Sequence, residues 1–577
     1  MAVHDKKVSI DGSMFKRAGA WFGVFQRGNA YGDASLYLGT CRGMAALAPE
    51  RNRLIGIIPT YNGKRVPYTV EARPAELTVV TKRGNIRFTF ADLSKLMAEG
   101  DEGMGLRFEK TMVQHESVHP RKDGAWECLF RMTCAMIFKG LDGSTFDFND
   151  GKTPWKLEGL TSGAIYGQTR PNANGKFTLV MEESQFSGVV RDSYPTFAEA
   201  KASMQADWDA FIEGMPSFKQ PYEDSREAAE YVLWTFQIGA QGTIRYPFMD
   251  FFAGMMGSQW QMCQNAVAMQ EHIGLALDLM LHPLDRIGPE GQLPDMYDDV
   301  TFESLMIKPP MHGWALKDIM KRHDLLKECP RDKLELLYTG LGRWANWFMT
   351  IRDEDGDGLP CVVHSDETGL DDCSLFVDHL VVTTPDICAY LVLLFEAIGD
   401  LAKLLAKPEA ESADWYSRAT ELTKRIIDEL WDGERFVGLV PDTREKLVSG
   451  SIVHYLPAVL GNRLPKEIIN KLADDLSDST RFLTEWGLAS EALDSDMHTS
   501  AGFGRGCVIP PAMLYICTGL WETERRDTAA MFAERYCNGL INARFAFFLN
   551  ARNGMGLYNA SSWSCCAYAI LARMLSE

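Results

Sequence analysis

The chain has 577 residues, of which 46% are hydrophobic and 24% charged, and its formal net charge is −19 at pH 7. This length allows two or more domains with large hydrophobic cores. Binding to nucleic acid or to an anionic membrane needs a concentrated basic surface, and no long basic run occurs here, so we expect neither partner.

Residues 1–215 are predicted to form one antiparallel β-sandwich domain. Several segments there alternate apolar and polar residues, as the strands of a half-buried antiparallel sheet do, and Gly, Asp and Asn turns separate them. The predicted strands include residues 18–26, 35–40, 76–82, 86–90, 126–138 and 175–182. This length suits a single sandwich domain.

Residues 216–577 are predicted to form a second, all-α domain, because apolar residues recur there at i, i+3 and i+4 spacing. The predicted helices include residues 225–239, 264–281, 331–351, 388–405, 411–430, 466–476, 510–520, 526–541 and 563–575. The loops between them are alternately short and long. This pattern indicates an (α/α)6 toroid, in which paired helices bury one another and the long loops meet at one end. An irregular helical domain is the alternative.

Thirteen cysteines are spread irregularly along the chain without a Cys-x-x-Cys pair, which gives no local support to a zinc site or a disulfide framework. The N-terminal residues lack the apolar core of a signal peptide, and the most apolar long stretch, residues 387–405, carries two acidic residues that disfavour a membrane span. No glycine-rich nucleotide motif lies between a strand and a helix. The sequence therefore predicts a cytoplasmic protein with reduced thiols and with no metal or cofactor.

The segment from residue 352 to residue 372 is the richest in functional side chains. Asp353, Asp355 and Asp357 imitate the start of a calcium-binding EF-hand loop. However, His364 stands where that loop needs a bidentate Glu, so local turns that use the Asp side chains are the simpler interpretation. If the loop is enclosed, its carboxylates repel one another and raise some of their pKa values, as a general acid requires.

Five sequence blocks follow in the same order as in a known group of enzymes. They are PPMHGWAL at 309–316, DEDGDGLP and then ETGLD within 353–371, TEWGLASE at 484–491, FGRG at 503–506 and SWS at 562–564. In these blocks the chain resembles the (α/α)6-barrel glycoside hydrolases, such as glucosidase I, mannosylglycerate hydrolase, trehalase and the amylo-α-1,6-glucosidase-like proteins. The resemblance implies a β-sandwich before the barrel and action on a small glycoside or sugar derivative.

By this resemblance, Asp371 takes the place of the general acid that protonates the leaving oxygen, with a helix N-cap as its structural alternative. Inverting glycosidases also need a carboxylate base about 6.5–9.5 Å from the acid, so that water fits between the two. In the relatives this base is a Glu shortly before the terminal Trp, and Phe547 occupies its position here. Since Phe cannot accept a proton, we predict a substitute. Glu491 is the best candidate, and a solvated or capping carboxylate is its alternative interpretation.

Other positions depart from the family pattern in the same direction. Cys263 stands where a sugar-binding Asp is expected, Cys507 replaces a Pro, and Cys373 lies in the acidic loop. Two Trp positions of the family's YWRGPIW block hold Gly504 and Ile509. We therefore expect a remodelled, less polar pocket, although independent core substitutions by buried Cys are the alternative.

The remaining members of the predicted site are aromatic and charged side chains within the matching blocks. Arg505 is expected to anchor a ligand oxygen or a loop carboxylate through its guanidinium group. The predicted substrate-binding residues are Trp260, Cys263, Trp314, Glu367, Cys373, Trp486, Arg505, Phe547 and Trp563. Their partner is expected to be a small-molecule glycoside or a related compound, and the sequence indicates no particular oligomeric state.

Three functions are open at this point. The first is a glycoside hydrolase of altered mechanism that uses Asp371 and Glu491. The second is a lyase, hydratase or isomerase that uses Asp371 with Cys263 and Cys373 on a less polar substrate. The third is a catalytically silent sugar-binding protein, against which the retained carboxylate cluster argues because such a cluster is costly to keep.

Overall fold

The computed structural model describes residues 4–26, 36–43, 53–113, 116–130, 133–148, 161–185, 193–297, 299, 302–303 and 306–577. The described residues up to 185 are predominantly β-structure, and those from 193 onward are predominantly helical. The chain is therefore an N-terminal antiparallel β-sandwich followed by an all-α domain, as the sequence predicts.

Two large antiparallel sheets form the sandwich. Their strands, among the described residues, are β1 Met14–Phe15, β2 Phe22–Gln26, β3 Leu36–Thr40, β4 Arg53–Tyr61, β5 Lys64–Arg65, β6 Thr69–Arg73, β7 Glu76–Val80, β8 Asn85–Asp92, β9 Lys95–Gly100, β10 Met104–Val113, β11 Ser117–Pro120, β12 Trp126–Leu129, β13 Ala135–Leu141, β14 Thr145–Phe148, β15 Thr161–Arg170 and β16 Phe177–Ser184. One sheet has the order β1-β2-β3-β4-β10-β15-β14, with β5 paired to β4. The other has the order β11-β12-β13-β16-β9-β8-β7-β6.

Burial along the strands explains why the two sheets pack. In β8, Ile86, Phe88 and Phe90 are buried at alternate positions. Across the sandwich, the ring of Phe138 in β13 lies 5.2 Å from Phe108 and 5.0 Å from Phe146 in the facing sheet. Aromatic side chains from the two sheets thus interdigitate to form the core.

Most of the predicted strands agree with the structure, and one does not. The confirmed strands, within a few residues, are 18–26, 35–40, 76–82, 86–90 and 175–182. The prediction of one strand over 126–138 is wrong, because the chain turns there and β12 and β13 pair as a hairpin. Phe130 N donates to Cys134 O, and Thr133 N donates to Phe130 O, which closes this turn.

The helices form the second half. Those in the described residues are α1 Phe197–Gly214, α2 Glu223–Thr235, α3 Gln259–Ala268, α4 Ile273–Leu284, α5 His312–Arg322, α6 Leu325–Glu328, α7 Arg331–Ile351, α8 Pro385–Leu404, α9 Glu409–Arg425, α10 Lys466–Leu476, α11 Pro510–Trp521, α12 Arg526–Asn542 and α13 Ser562–Ser576. A π-helix, Ile426–Leu430, continues α9, and a 3-10 helix occupies Ile452–Arg463. Within the described part of the chain, no helix has both the length and the hydropathy that a bilayer span requires.

Short strands occur in the loops of the helical half. They are β17 Gln237–Ile238, β18 Phe248–Phe252, β19 Met255–Met256, β20 Met296–Tyr297, β21 Phe302–Glu303, β22 Gly438–Leu439, β23 Lys446–Leu447, β24 Leu483–Thr484, β25 Gly487–Leu488, β26 Ala546–Leu549 and β27 Gly556–Ala560. Apart from the three-stranded β17-β18-β19 sheet, they pair two by two.

The helices are arranged as a closed double ring. The inner segments α3, α5, α8, the 3-10 helix at 452–463, α11 and α13 each pack on the next, and α13 packs back on α3. Helices α2, α4, α7, α9, α10 and α12 pack around this ring. The arrangement is the predicted (α/α)6 toroid.

Predicted helix boundaries hold where the apolar period is long and uninterrupted. The predictions over 331–351 and 466–476 coincide with α7 and α10. The single helix predicted over 264–281 is wrong, because α3 ends at Ala268 and a turn leads into α4. The boundary at residue 215 stays a prediction. It falls between α1, which packs on β8 of the sandwich, and α2, which packs on α13 of the toroid.

Candidate active site

The N-terminal ends of inner segments meet at one end of the toroid, which we call the loop end. Trp260, at the start of α3, packs against Gly369 in the loop before α8 and against Trp563 at the start of α13. Lys308, just before α5, approaches Asp371 in the same loop before α8. The loop end therefore brings together sequence blocks that are far apart in the chain.

Lys308 is the centre of a carboxylate cluster at the loop end. Its ammonium nitrogen lies 2.9 Å from Asp366 Oδ2, 3.6 Å from Asp371 Oδ1 and 3.8 Å from Asp295 Oδ2. The side-chain amide of Gln259 in α3 donates to the Lys308 carbonyl at 2.9 Å and fixes its backbone. Burial disfavours the ammonium, but the surrounding carboxylates outweigh burial and raise the pKa of Lys308. The cluster thus holds a permanent cation beside Asp371.

Asp371 is the accessible member of this cluster, since 52% of its side chain is exposed. Desolvation by the surrounding protein and the neighbouring Asp366 raise the pKa of Asp371 to about 7, against the opposing effect of Lys308. For Asp366, burial is outweighed by Lys308, whose charge lowers the pKa of that carboxyl. At neutral pH, Asp371 therefore carries a proton for much of the time while Asp366 stays ionised. Two carboxyls with separated pKa values are typical of an acid-base site.

A buried ion pair holds the loop that carries Asp371. Arg352, just after α7, donates to the carboxylate of Glu367, which also accepts from Val363 N at 2.9 Å. The Arg352 guanidinium lies 5.1 Å from the ring of Trp347. Glu367 is fully buried, so its observed contacts are those of a loop-holding residue. Its role in substrate binding stays a prediction.

Trp260 and Trp563 support the same loop from the barrel core. Gly369 has a φ of 74°, and a Cβ at this residue would lie 2.3 Å from the ring of Trp260. Glycine is therefore required here both by the backbone conformation and by the close approach. The rings of Trp260 and Trp563 meet edge to face at 4.9 Å, and both are buried beneath the loop.

Glu491 is buried next to the acidic loop. Its backbone forms an isolated antiparallel β-bridge with Ser451. Its two carboxylate oxygens accept hydrogen bonds from Ser374 Oγ at 2.7 Å and from Ser495 Oγ at 2.6 Å. Burial raises the pKa of Glu491, although these hydrogen bonds act in the opposite direction. Ser374 lies three residues after Asp371 in the chain, and Ser495, unlike the buried Glu491, is half-buried. The assignment of Glu491 as the base stays a prediction.

Arg505 approaches the residue that follows the predicted acid. Its Nε lies 3.7 Å from Asp372 Oδ2, and Asp372 also accepts from the backbone N–H of Gly504. The FGRG block is therefore docked on the acidic loop, which is one of the two contacts that the sequence predicts for Arg505.

The three cysteines that the sequence predicts at the pocket are buried neutral thiols. Cys373 donates to Ser451 Oγ at 3.2 Å, and Cys507 contacts the carbonyl of Ser500 at 3.6 Å. Burial raises the pKa of both thiols to about 12, and it also raises the pKa of Cys263. Thiolates are the reactive form, so these values disfavour a reaction that uses Cys263 or Cys373 as a nucleophile.

Phe547, at the position of the family's base, belongs to an aromatic cluster that we call the aromatic wall. The wall consists of Phe251, Phe252, Phe503, Phe547, Phe548 and Tyr558. The Phe547 ring centroid lies 4.7 Å from Phe251 and 4.6 Å from Phe252, both in β18. It also lies 5.4 Å from Trp563. Carbocyclic rings accept no proton, so Phe547 cannot activate water.

Two further predicted substrate-binding residues have packing contacts. The indole N–H of Trp314 donates to Thr518 Oγ1 at 3.1 Å, and its ring lies 5.4 Å from Tyr515. Trp486 packs on Gly554, where a Cβ would lie 2.4 Å from the indole. These contacts stabilise the inner ring and the β26–β27 hairpin, and the roles in binding stay predictions.

Sequence reasoning misses several members of the site. Lys308 directly precedes the PPMHGWAL block, and that position is the one signal that could have singled it out. Asp295 and Asp366 carry no motif that separates them from other acidic loop residues. Phe251 and Phe252 form an aromatic pair in an apolar run that lies outside the predicted helices and strands.

Asp353, Asp355 and Asp357 are the described residues that come nearest to a metal-ligand set. Their carboxylate oxygens lie within 4.8 Å of one another. Asp357 pairs with Arg444, and Asp353 accepts from Gly358 N at 3.1 Å. These are the contacts of a turn whose Asp side chains satisfy local donors, in line with the simpler of the two sequence interpretations.

Comparison with known families decides the enzyme class. Residues 260–558, slightly more than half of the chain, match the model of the mannosylglycerate hydrolase MGH1-like glycoside hydrolase domain. The chain belongs to this family. It is therefore a glycosidase-like enzyme, as the five sequence blocks imply. None of the functionally curated proteins is significantly similar to it in sequence.

Solved structures share the fold of this family member at low sequence identity. A GH63 mannosylglycerate hydrolase from Thermus thermophilus, in complex with glucose, is 16% identical with a TM-score of 0.52, over 60% of this chain and 99% of that one. A family GH92 α-mannosidase from Bacteroides thetaiotaomicron is 13% identical with a TM-score of 0.57, over 98% of this chain and 83% of that one. The second match extends over both the sandwich and the toroid.

Proposed function

We propose that this protein hydrolyses a small glycoside with Asp371 as the general acid. The observation that carries the proposal is the half-exposed Asp371 carboxyl, with a pKa of about 7, beside the buried ammonium of Lys308. A group with this pKa holds a proton near neutral pH and also releases it readily, which is the balance that general acid catalysis needs. Membership of a glycoside hydrolase family supports the class of reaction.

In the proposed reaction, the Asp371 carboxyl gives its proton to the glycosidic oxygen, and the bond from that oxygen to the anomeric carbon breaks. The bonding electron pair stays on the oxygen. A water molecule forms a new bond to the anomeric carbon and releases one proton to the enzyme. The products are a reducing sugar and an alcohol, and the released proton later restores the acid form of Asp371.

Glu491 is the proposed acceptor of the proton that water releases, and Ser495 is the proposed relay. The Ser495 hydroxyl, which lies 2.6 Å from Glu491 Oε1, passes its own proton to the carboxylate while it takes one from water. Burial raises the pKa of Glu491 and so makes its carboxylate a stronger base. A relay reconciles the burial of this carboxylate with a role in water activation.

Mannosides are the first substrates to test. The matching family is described after a mannosylglycerate hydrolase, and the GH92 structure with the same two-part fold is an α-mannosidase. Both descriptions belong to the relatives. The proposed chemistry of Asp371 and Glu491 does not depend on which sugar the enzyme binds.

The acid assignment is tested with two leaving groups. Asp371→Asn is expected to lower kcat/KM for a methyl glycoside by about 10²–10⁴-fold. The loss is expected to be smaller for the matching 4-nitrophenyl glycoside, because a good leaving group needs less protonation. Asp378→Asn, at an exposed carboxylate in the same loop, is the control and should leave both rates unchanged. Unchanged hydrolysis of the methyl glycoside by Asp371→Asn would refute the proposal.

The proton relay is tested through the pH profile. A base must be ionised, so kcat/KM of the wild type should fall as pH drops through the pKa of Glu491. In Glu491→Gln this acidic limb should disappear and the remaining rate should be about 10²-fold lower. Ser495→Ala should lower the rate while it keeps the limb. An acidic limb that persists in Glu491→Gln assigns the base to another group.

A further inference from the structure

The aromatic wall presents apolar ring surface to solvent and has no part in the proposed proton transfers. Its inner rings, Phe547 and Phe548, are buried, whereas Phe251, Phe252 and Phe503 are half-buried. The Tyr558 side chain, at the outer edge, is 74% exposed. Apolar side chains that remain exposed together mark binding surfaces in soluble proteins.

Tyr558, at the outer edge of the wall, has an unusual backbone conformation. Its φ is 64°, in the left-handed region that non-glycine residues rarely adopt. It lies in β27, which pairs with β26 through an irregular register next to Phe548. The Tyr558 ring lies 5.7 Å from Phe548 and 6.3 Å from Phe252, so this residue places its ring over the wall. Strained residues of this kind cluster at ligand sites.

The wall adjoins the proposed acid through two chains of contacts. Phe503 stacks on Phe548 with ring centroids 4.7 Å apart, and the next residue, Gly504, donates to the Asp372 carboxylate. Asp372 directly follows Asp371 in the chain. Phe503 of the wall is therefore the chain neighbour of Gly504, whose backbone N–H binds the residue next to the acid.

The second chain of contacts runs beneath the loop. Phe547 packs on Trp563, Trp563 packs on Trp260, and Trp260 supports Gly369 of the acidic loop. The wall and the Asp371 loop thus both pack on the Trp260–Trp563 pair. The wall and the loop that carries Asp371 therefore lie on the same side of this stack of tryptophans, at the loop end.

The chemistry of the wall favours an aromatic ring over a sugar. A sugar ring needs hydrogen-bond partners for several hydroxyls, and the hydroxyl of Tyr558 is the single polar side-chain group among the six residues that define the wall. Hydroxyls that leave water without new partners cost binding free energy. An aromatic ring carries no such cost and gains offset-stacked and edge-to-face contacts with the phenylalanines.

We propose that the aromatic wall binds the aromatic aglycone of the substrate, so that this enzyme acts on aryl or arylalkyl glycosides. The inference rests on the proposed function, in which Asp371 protonates the oxygen between sugar and aglycone. Phe547 then contributes apolar surface at the position where the resembling enzymes keep a carboxylate. The aglycone leaves as a phenol or an arylalkyl alcohol.

The test measures binding apart from turnover. The full-length protein is titrated by calorimetry with 4-methylphenol, and with the phenyl and methyl glycosides of one sugar, mannose first. The phenyl glycoside is expected to bind about tenfold more tightly than the methyl glycoside, and 4-methylphenol is expected to bind on its own. Tyr558→Ala and Phe252→Leu should each reduce the phenyl preference and weaken 4-methylphenol binding by about fivefold. Tyr166→Ala, at an exposed tyrosine of the sandwich, is the matched control and should change neither.

Several outcomes would overturn the proposal. Absence of 4-methylphenol binding to the wild type is one, and a phenyl preference that both wall variants retain is another. Equal or tighter binding of the methyl glycoside would assign the wall to a sugar ring instead. Failure of the proposed function looks different, because Asp371→Asn would then keep hydrolysing the methyl glycoside while 4-methylphenol still binds in a Tyr558-dependent way.

Discussion

Lys308 Nζ lies 3.6 Å from Asp371 Oδ1, and the lysine is buried whereas the carboxyl is half exposed. The ammonium favours the ionised carboxylate, while desolvation and Asp366 favour the protonated form. The outcome of these opposing effects is a pKa of about 7 for Asp371. Removal of one or the other neighbour is therefore expected to move the titration of the proposed acid in opposite directions.

Lys308→Met is expected to shift the pH profile to higher pH. Hydrolysis requires protonated Asp371, so kcat/KM falls as pH rises through the pKa of this carboxyl. Loss of the ammonium removes the charge that lowers this pKa, so the falling limb should move up by about 1 pH unit. Lys317→Met, at a lysine paired with Glu396 and Asp400, is the control and should leave the limb in place. A limb that stays or moves down in Lys308→Met would contradict the proposed coupling.

Asp366→Asn is expected to shift the same limb to lower pH. This substitution removes the negative charge that raises the pKa of Asp371 and leaves Lys308 in contact with Asp371. The protonated acid is then lost at a lower pH than in the wild type. The measurement is again kcat/KM against pH, with Asp355→Asn as a control outside the lysine cluster. A shift in the same direction as that of Lys308→Met would show that the limb does not report Asp371.

Gly369→Ala is expected to destabilise the acidic loop. The methyl group would lie 2.3 Å from the Trp260 ring at a φ of 74°, so steric overlap adds to backbone strain. We expect a loss of about 2 kcal/mol or more in the free energy of unfolding, together with lower activity. Gly356→Ala is a matched control, since its φ is 70° and no atom lies within 4 Å of the added Cβ. Equal losses for the two variants would show that contact with Trp260 is unimportant.

The architecture is predictable from sequence because it depends on periodicity summed over many residues. Alternation in β8 and the i, i+3, i+4 spacing in α7 each define an element locally, and the sandwich and toroid follow from the order of such elements. The local character of this signal also explains the errors. A turn of a few residues divides 126–138 and 264–281 without disturbing the apolar pattern.

Site residues are predictable from the sequence only where they lie in one of the five family-like blocks. Asp371 lies in such a block, but the role of Lys308 depends on contacts that exist only after the ring closes. The same holds for Phe252, which is distant from Phe547 in sequence and 4.6 Å away in the fold. Residue types alone do not separate a loop-holding carboxylate such as Glu367 from one that binds substrate.

Arg352→Met is expected to be strongly destabilising. The substitution leaves the fully buried Glu367 carboxylate without its cation, and breaking a buried ion pair on one side costs about 3–5 kcal/mol. Arg418→Met, which breaks the exposed pair with Asp414, should cost less than about 1 kcal/mol. Urea denaturation followed by circular dichroism compares the two. Similar losses for both variants would mean that the Arg352 pair does not hold the loop.

Phe547→Glu restores the residue type that the resembling enzymes use as a base, and we expect it to destabilise the protein without raising the rate. The Phe547 side chain is only 7% exposed and packs among Phe251, Phe252 and Trp563. A carboxylate there would lose its hydration among aromatic rings, so we expect it to stay protonated near neutral pH and to accept no proton from water. Loss of the ring should cost about 3–5 kcal/mol. Phe547→Leu is the control for lost ring contacts alone, and kcat/KM with the free energy of unfolding is measured for both variants. A Phe547→Glu enzyme that hydrolyses a methyl glycoside faster than the wild type would show that the wall admits a functional base and that Phe547 limits catalysis.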